Sequence, residues 1–232
     1  MHSRKILVWD LPTRLFHWLL AGVVIGLIIT GKAGGNLIEW HGRLGLLLAG
    51  LLGFRLVWGL AGPTYARFAQ FFPTPARLRT CLQGRWQQPG HNPLGALSVF
   101  ALLGLLTIQL LSGLLATDDI AFSGPLAALV DSDGSAAATG WHRLLANGLL
   151  GLILLHVLAI AFHARVKKDN LLRPMLTGWK DSAQGESTRG GRLPALLAAL
   201  AAGALCIWLA SGSWLPSPPP APPASQLQTP DW

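Results

Sequence analysis

Five long apolar segments alternate with polar, charged connections along the chain. They cover about residues 15–31, 41–60, 93–116, 141–163 and 193–215. A helix crosses the hydrocarbon core of a bilayer with roughly 20 apolar residues, so each segment is predicted as a membrane-spanning helix. The first begins just after Pro12, a residue suited to a helix's first turn. A short Gly-rich loop (32–39) joins the first two, and a polar loop over 61–92 carries Arg67, Arg77, Arg79 and Arg85. The third segment has no histidine or charge, and an acidic loop with Asp118, Asp119, Asp131 and Asp133 follows it. A second basic loop, with Lys167, Lys168, Arg173, Lys180 and Arg189, precedes the fifth segment. The tail LPSPPPAPPASQLQTPDW is proline-rich and expected to be extended. The predicted fold class is all-α integral membrane protein: a four-helix bundle over 1–180, a basic linker over 181–192, a fifth transmembrane helix over 193–215 and the tail from 216 to 232.

Composition agrees with that pattern. The 232 residues are 51% hydrophobic and 12% charged, about half the charge of a soluble domain. The net charge of +8 comes from residues that flank apolar runs and form no DNA-reading helix, so the expected partner is the lipid membrane and not nucleic acid. Cys81 and Cys206 stand alone, without a C-x-x-C metal site or a C-x-x-C-H haem attachment. Asp10, Pro12, Arg14 and His17 interrupt the N-terminal stretch, which is expected to be retained and not cleaved as a signal peptide.

Basic residues set the expected orientation. With the N-terminus in the cytoplasm, the N-terminal arm and both basic loops are cytoplasmic and hold nearly all Lys and Arg. Lys32, Arg43 and Arg143 then lie outside with the acidic loop, and five crossings leave the tail outside.

Imidazoles inside hydrocarbon mark a function. The fourth segment, WHRLLANGLLGLILLHVLAIAFH, carries His142 and His156 fourteen residues apart, on nearly one face and about 21 Å apart along a helix axis. Depth then pairs His41 with His142 near the outer surface and His17 with His156 near the inner one. Two bis-imidazole pairs at two depths in a bundle suit two b-type haems held without thioethers. Zinc or copper also binds imidazole, but prefers three or four ligands at one depth. His163, seven residues past His156 and beside Arg165 and Lys167, is the alternative inner ligand, an interfacial residue or a propionate partner. His2 and His91 are expected at the surface. Arg14, Arg43 and Arg143 are candidate partners for haem propionates, and fit equally as snorkelling interfacial arginines. Gly22, Gly26, Gly45, Gly148 and Gly151 offer room for a macrocycle or for close helix packing.

VWDLPTRLFHW at 8–18, WHGRLGL at 40–46, the 141–163 stretch and LLRPMLTG at 171–178 resemble the bacterial cytochrome b561 and nickel–iron hydrogenase b-type subunit family, over about residues 5–180. The resemblance implies a four-helix core with two b haems. Its ligands come from the first helix, the second helix and two positions on the fourth, which here are His17, His41, His142 and His156. It also implies a bacterial cytoplasmic (inner) membrane location and electron transfer between the quinone pool and a partner at the other face. Such partners include periplasmic c-type cytochromes, hydrogenases and other redox subunits. One branch oxidises superoxide and reduces quinone. The expected function is therefore a transmembrane electron carrier. The alternatives are a superoxide:quinone oxidoreductase on the same scaffold and, in another class, a metal-ion transporter, which would need intramembrane acidic residues that the central spans lack.

Overall fold

The computed structural model describes residues 4–118, 122–182 and 184–216. The elements in order are β1 (Arg4–Leu7), α1 (Leu11–Ala33), α2 (Ile38–Ala61), α3 (Phe68–Phe71), α4 (Pro75–Leu82), α5 (Pro93–Leu115), α6 (Ser132–Arg165), α7 (Leu172–Thr177), β2 (Trp179–Ser182) and α8 (Leu193–Ala210). Among them α1, α2, α5, α6 and α8 are long and apolar enough to cross a membrane. Their outward leucines, such as Leu155, Leu158 and Leu200, stay more than half exposed, as lipid-facing side chains do.

Local chemistry sets the helix ends. Asp10 caps α1 by accepting from the Thr13 N–H at 3.2 Å and the Thr13 hydroxyl at 2.6 Å, so α1 starts four residues before the expected position. Gly34, at φ +63°, turns the chain from α1 towards α2. The largest difference lies in α6, which begins at Ser132 and not at 141. Asp131 caps it through the Gly134 N–H at 2.8 Å, Asp133 sits in its first turn, and Ala136–138 favour helix. Its 34 residues, about 51 Å, therefore extend beyond the apolar span. α8 stops at Ala210, short of 215, where Ser211–Ser213 bond back to the chain. The tail beyond residue 216 lies outside the described residues, as do His2 and Asp119.

The helices pack as two layers. α1 lies on α2, α2 on α8, and α5 on α6, while α2 and α5 make a lesser contact that joins the layers. α8 approaches α2 closely through small residues. A Cβ on Gly53 would stand 2.5 Å from Cys206 Sγ, and one on Gly203 would stand 2.9 Å from the Gly50 carbonyl. Ala199 on α8 is wholly buried in the same seam, beside Trp58. The indole N–H of Trp58 donates to Asp10 and Thr13 at 3.1 Å each, tying α2 to the start of α1. Val23 and Val24, Leu48, Leu106 and Leu149, from α1, α2, α5 and α6, form an apolar layer through the middle of the bundle.

At the end of the bundle where α1 begins, β1 pairs antiparallel with β2, Arg4 opposite Ser182 and Leu7 opposite Trp179. The connection beyond β2 is held too, since the Thr188 N–H donates to the Leu7 carbonyl and Pro63 pairs with Gly190. Hydropathy reads these stretches only as polar loops, because four-residue strands carry no period of their own.

Candidate functional site

His41 on α2 and His142 on α6 face each other, ring centres 6.0 Å apart and planes at 85°. Each ring is fixed from behind. His41 Nδ1 lies 3.0 Å from the Leu27 carbonyl and 3.2 Å from Thr30 Oγ1, whose own hydroxyl donates to the Gly26 carbonyl. His142 Nδ1 lies 2.9 Å from the Gln109 carbonyl and 3.3 Å from Ser112 Oγ. A carbonyl can only accept, so in both rings Nδ1 carries the proton and Nε2 keeps its lone pair. That tautomer is the one a metal-bound histidine needs, with the second nitrogen anchored to a carbonyl. Two imidazoles bound to one metal ion through bonds of about 2 Å would have ring centres roughly 6 Å apart, so the spacing of His41 and His142 fits one iron between them.

Glycines hold the rings from the side. A Cβ on Gly31 would stand 2.9 Å from His41 Cε1, and one on Gly113 would stand 2.7 Å from His142 Cε1. Neither Gly31 nor Gly113 was marked by the sequence. Gly22, Gly45, Gly148 and Gly151, which were, border open space, whereas a Cβ on Gly26 would meet Leu44 at 2.9 Å in the α1–α2 packing.

The second pair lies towards the other end of α6, with α1 in place of α2. His17 on α1 and His156 on α6 are close enough for their charges to interact, and His91 lies within reach of both. Ser98 Oγ stands 3.3 Å from His156 Nδ1, while His17 Nδ1 is buried without a partner among the described residues. His163 Nδ1 is likewise buried without a partner among the described residues, but His156 is the one whose charge reaches His17. Val24, Leu48 and Leu149 each lie seven residues from a histidine of these pairs, so the apolar layer separates the two levels.

α5, which has no histidine or charge, supplies much of the support. Ser98 and Ser112 are fourteen residues apart, the same spacing as His142 and His156 on the antiparallel neighbour α6. Gln109, 9% exposed, also donates from Nε2 to the His142 carbonyl at 2.9 Å. The signal was present in the sequence as the few polar side chains of an apolar helix.

His91 corrects an expectation. It is not a surface residue but is wedged between Trp9 and Phe71, with ring centres 4.6 Å from each. Asn92 follows it as the cap of α5, which opens at Pro93, and α3 folds its aromatic side chains onto the start of that helix. Burial, and then the nearby charges of Arg55, His17 and His156, push its imidazole down to about 3.

Each marked arginine lies within three residues of a paired histidine, Arg14 of His17, Arg43 of His41 and Arg143 of His142. Arg14 donates to the Leu176 carbonyl at 2.6 Å, and its Nε is buried without a partner among the described residues. Arg43 is exposed, 3.7 Å from Glu39 and over the Trp40 ring. Arg143 is exposed. Among the described residues no group of three or more His, Cys, Asp or Glu side chains clusters as a metal site, so the histidines stand in pairs. Cys81 and Cys206 are unpaired thiols on α4 and α8.

The family model for prokaryotic cytochrome b561 matches residues 8–178. The chain belongs to that family. It is a bacterial membrane b-type cytochrome of electron transfer. A relative from Azotobacter chroococcum mcd 1, described as a probable Ni/Fe-hydrogenase B-type cytochrome subunit, is 23% identical over 215 residues, covering 75% of this chain and 88% of the relative. No solved structure matches the chain.

Proposed function

We propose that this cytochrome b561 holds two b haems and carries electrons across the cytoplasmic membrane between the quinone pool and a redox partner at the opposite face. The observation that carries the reading is the His41–His142 pair: rings 6.0 Å apart, each anchored through Nδ1 to a carbonyl, with no partner at Nε2 among the described residues. His41 and His142 hold the outer haem, and His17 and His156 the inner one. Bound haem supplies reversible one-electron chemistry at its iron. The protein's own work is positional. α5 fixes the α6 histidines through Ser98, Gln109 and Ser112, and α1 fixes His41 through Leu27 and Thr30. The apolar layer of Val24, Leu48 and Leu149 keeps water out between the levels.

Residues 1–180 form the haem-binding four-helix unit (α1, α2, α5 and α6), and α8 braces α2 from outside it. The polar ribbon of β1 and β2, with the basic 61–92 and 165–192 connections, faces the cytoplasm, and the tail lies in the periplasm. The hydrogenase-type relative and the two-level arrangement support a redox subunit or a periplasmic c-type cytochrome as the partner.

The test uses purified protein in sealed vesicles, with a trapped impermeant one-electron acceptor and quinol added outside. Reduction of the trapped acceptor, abolished by His41→Ala, is the expected result. Haems reduced by quinol without transfer across the membrane would contradict the reading. Partner-free reduction by superoxide would favour the oxidoreductase.

A further inference from the structure

Arg55 is the one charged side chain buried among the described residues, at 4% exposure. It lies on α2 fourteen residues past His41 and seven past Leu48, which puts it about 21 Å below the outer pair, at the level of His17 and His156. Its guanidinium stands 4.4 Å from the centre of the Phe68 ring and 5.9 Å from that of Phe16, the neighbour of His17 in the chain. His91, which also lies within reach of His17 and His156, feels its charge.

This cation has little to hold. A guanidinium carries five N–H donors, and the hydrogen bond it makes here is from one terminal nitrogen to the Ala66 carbonyl at 3.1 Å. No carboxylate lies within ion-pair distance of it among the described residues. Asp10 is near enough to interact, but its oxygens already accept from Thr13 and from the Trp58 indole. A buried charge without a counter-ion is costly, and a planar fork of donors matches a carboxylate. Arg43 and Arg143 are less suited to that task, being paired with Glu39 or exposed, and Arg14, braced on the Leu176 carbonyl, keeps only its buried Nε without a partner among the described residues.

We propose that Arg55 is the partner of a propionate carboxylate of the inner haem, with His91 lining the same compartment. The proposal rests on the two-haem reading. It assigns the anchoring charge to the buried end of α2 and not to the interfacial arginines.

The experiment compares wild type, Arg55→Gln and Arg55→Lys as full-length detergent-solubilised protein, by haem count and by potentiometric titration of both haems. Loss of a nearby positive charge favours ferric over ferrous haem. Arg55→Gln should therefore keep two haems per chain and lower one midpoint, leaving the other in place, and Arg55→Lys should recover part of the fall. Two haems with both midpoints unchanged in Arg55→Gln would overturn the proposal. Should Arg55→Gln fail to accumulate, wild type and Arg55→Lys carrying haem labelled with 13C at its propionate carboxyls are compared by redox difference infrared spectroscopy. A labelled carboxylate band that moves between the two supports the pairing, and one that stays in place overturns it. Wild type without haem would sink the two-haem reading itself, a result distinct from either.

Discussion

The ring centres of His41 and His142 stand 6.0 Å apart with their planes at 85°, each ring tethered through Nδ1 to a carbonyl of a different helix, Leu27 on α1 and Gln109 on α5. Four helices therefore set the position of two ring nitrogens. A change to any of the four reaches the outer site, and its glycines are the most sensitive points.

Gly113→Ala places a methyl group 2.7 Å from His142 Cε1, and Gly31→Ala places one 2.9 Å from His41 Cε1. A Cβ at that distance forces the ring to move, at a cost of about 1–3 kcal/mol for an overpacked site. Each variant should lose most of the outer haem and keep the inner one. A pyridine haemochrome assay should read a fall from about two haems per chain towards one.

The serines of α5 differ in what they support. Ser98 is the Nδ1 partner of His156 among the described residues, whereas Ser112 shares His142 Nδ1 with the Gln109 carbonyl. A hydrogen bond of this kind contributes about 0.5–1.5 kcal/mol. Ser98→Ala should therefore shift the inner midpoint more than Ser112→Ala shifts the outer one, with both haems retained. Spectropotentiometry of the two variants side by side checks the order.

Much of the site was legible because depth follows from counting residues along apolar helices. The fourteen-residue step from His142 to His156 and the alternating direction of the spans place four histidines at two levels. Helix supports were harder to see. Ser98, Gln109 and Ser112 sit on a helix without charge, and their purpose depends on the register between α5 and α6, which one sequence does not state. Arg55 stands deep in the second apolar segment, a functional signal that went unread because the polar stretch at Arg43 drew the eye to the segment's start. His91 was misjudged because a histidine in a polar loop looks solvated until the fold brings Trp9 and Phe71 against it. The β1–β2 ribbon joins segments about 175 residues apart, beyond the reach of local pattern.

α8 should prove part of the fold and not a dispensable anchor. Gly203→Leu drives a large side chain into the α2 backbone at Gly50, where even a Cβ would stand 2.9 Å from the carbonyl oxygen. Because α2 carries His41, the variant should release haem at a lower temperature than wild type. A thermal melt followed at the Soret band measures the shift, and an unchanged melt would count against this bracing.

His91 should make stability fall in acid. Its folded pKa is pushed down to about 3 by burial and neighbouring charge, while the unfolded residue titrates near the ordinary 6.5. Between those values the unfolded chain binds a proton that the folded chain does not, so stability declines as pH drops from about 6.5 towards 3. A carboxylate held at Arg55 would narrow that window without inverting it. His91→Gln, which cannot titrate, should show a smaller loss of melting temperature between pH 7.5 and pH 5 than wild type.

The most direct measurement is the haem count of the purified chain by pyridine haemochrome, beside His41→Ala and His17→Ala. Two b haems in wild type and about one in each variant are the predicted result. An absence of haem in wild type, or variants that keep both, would contradict the two-pair account.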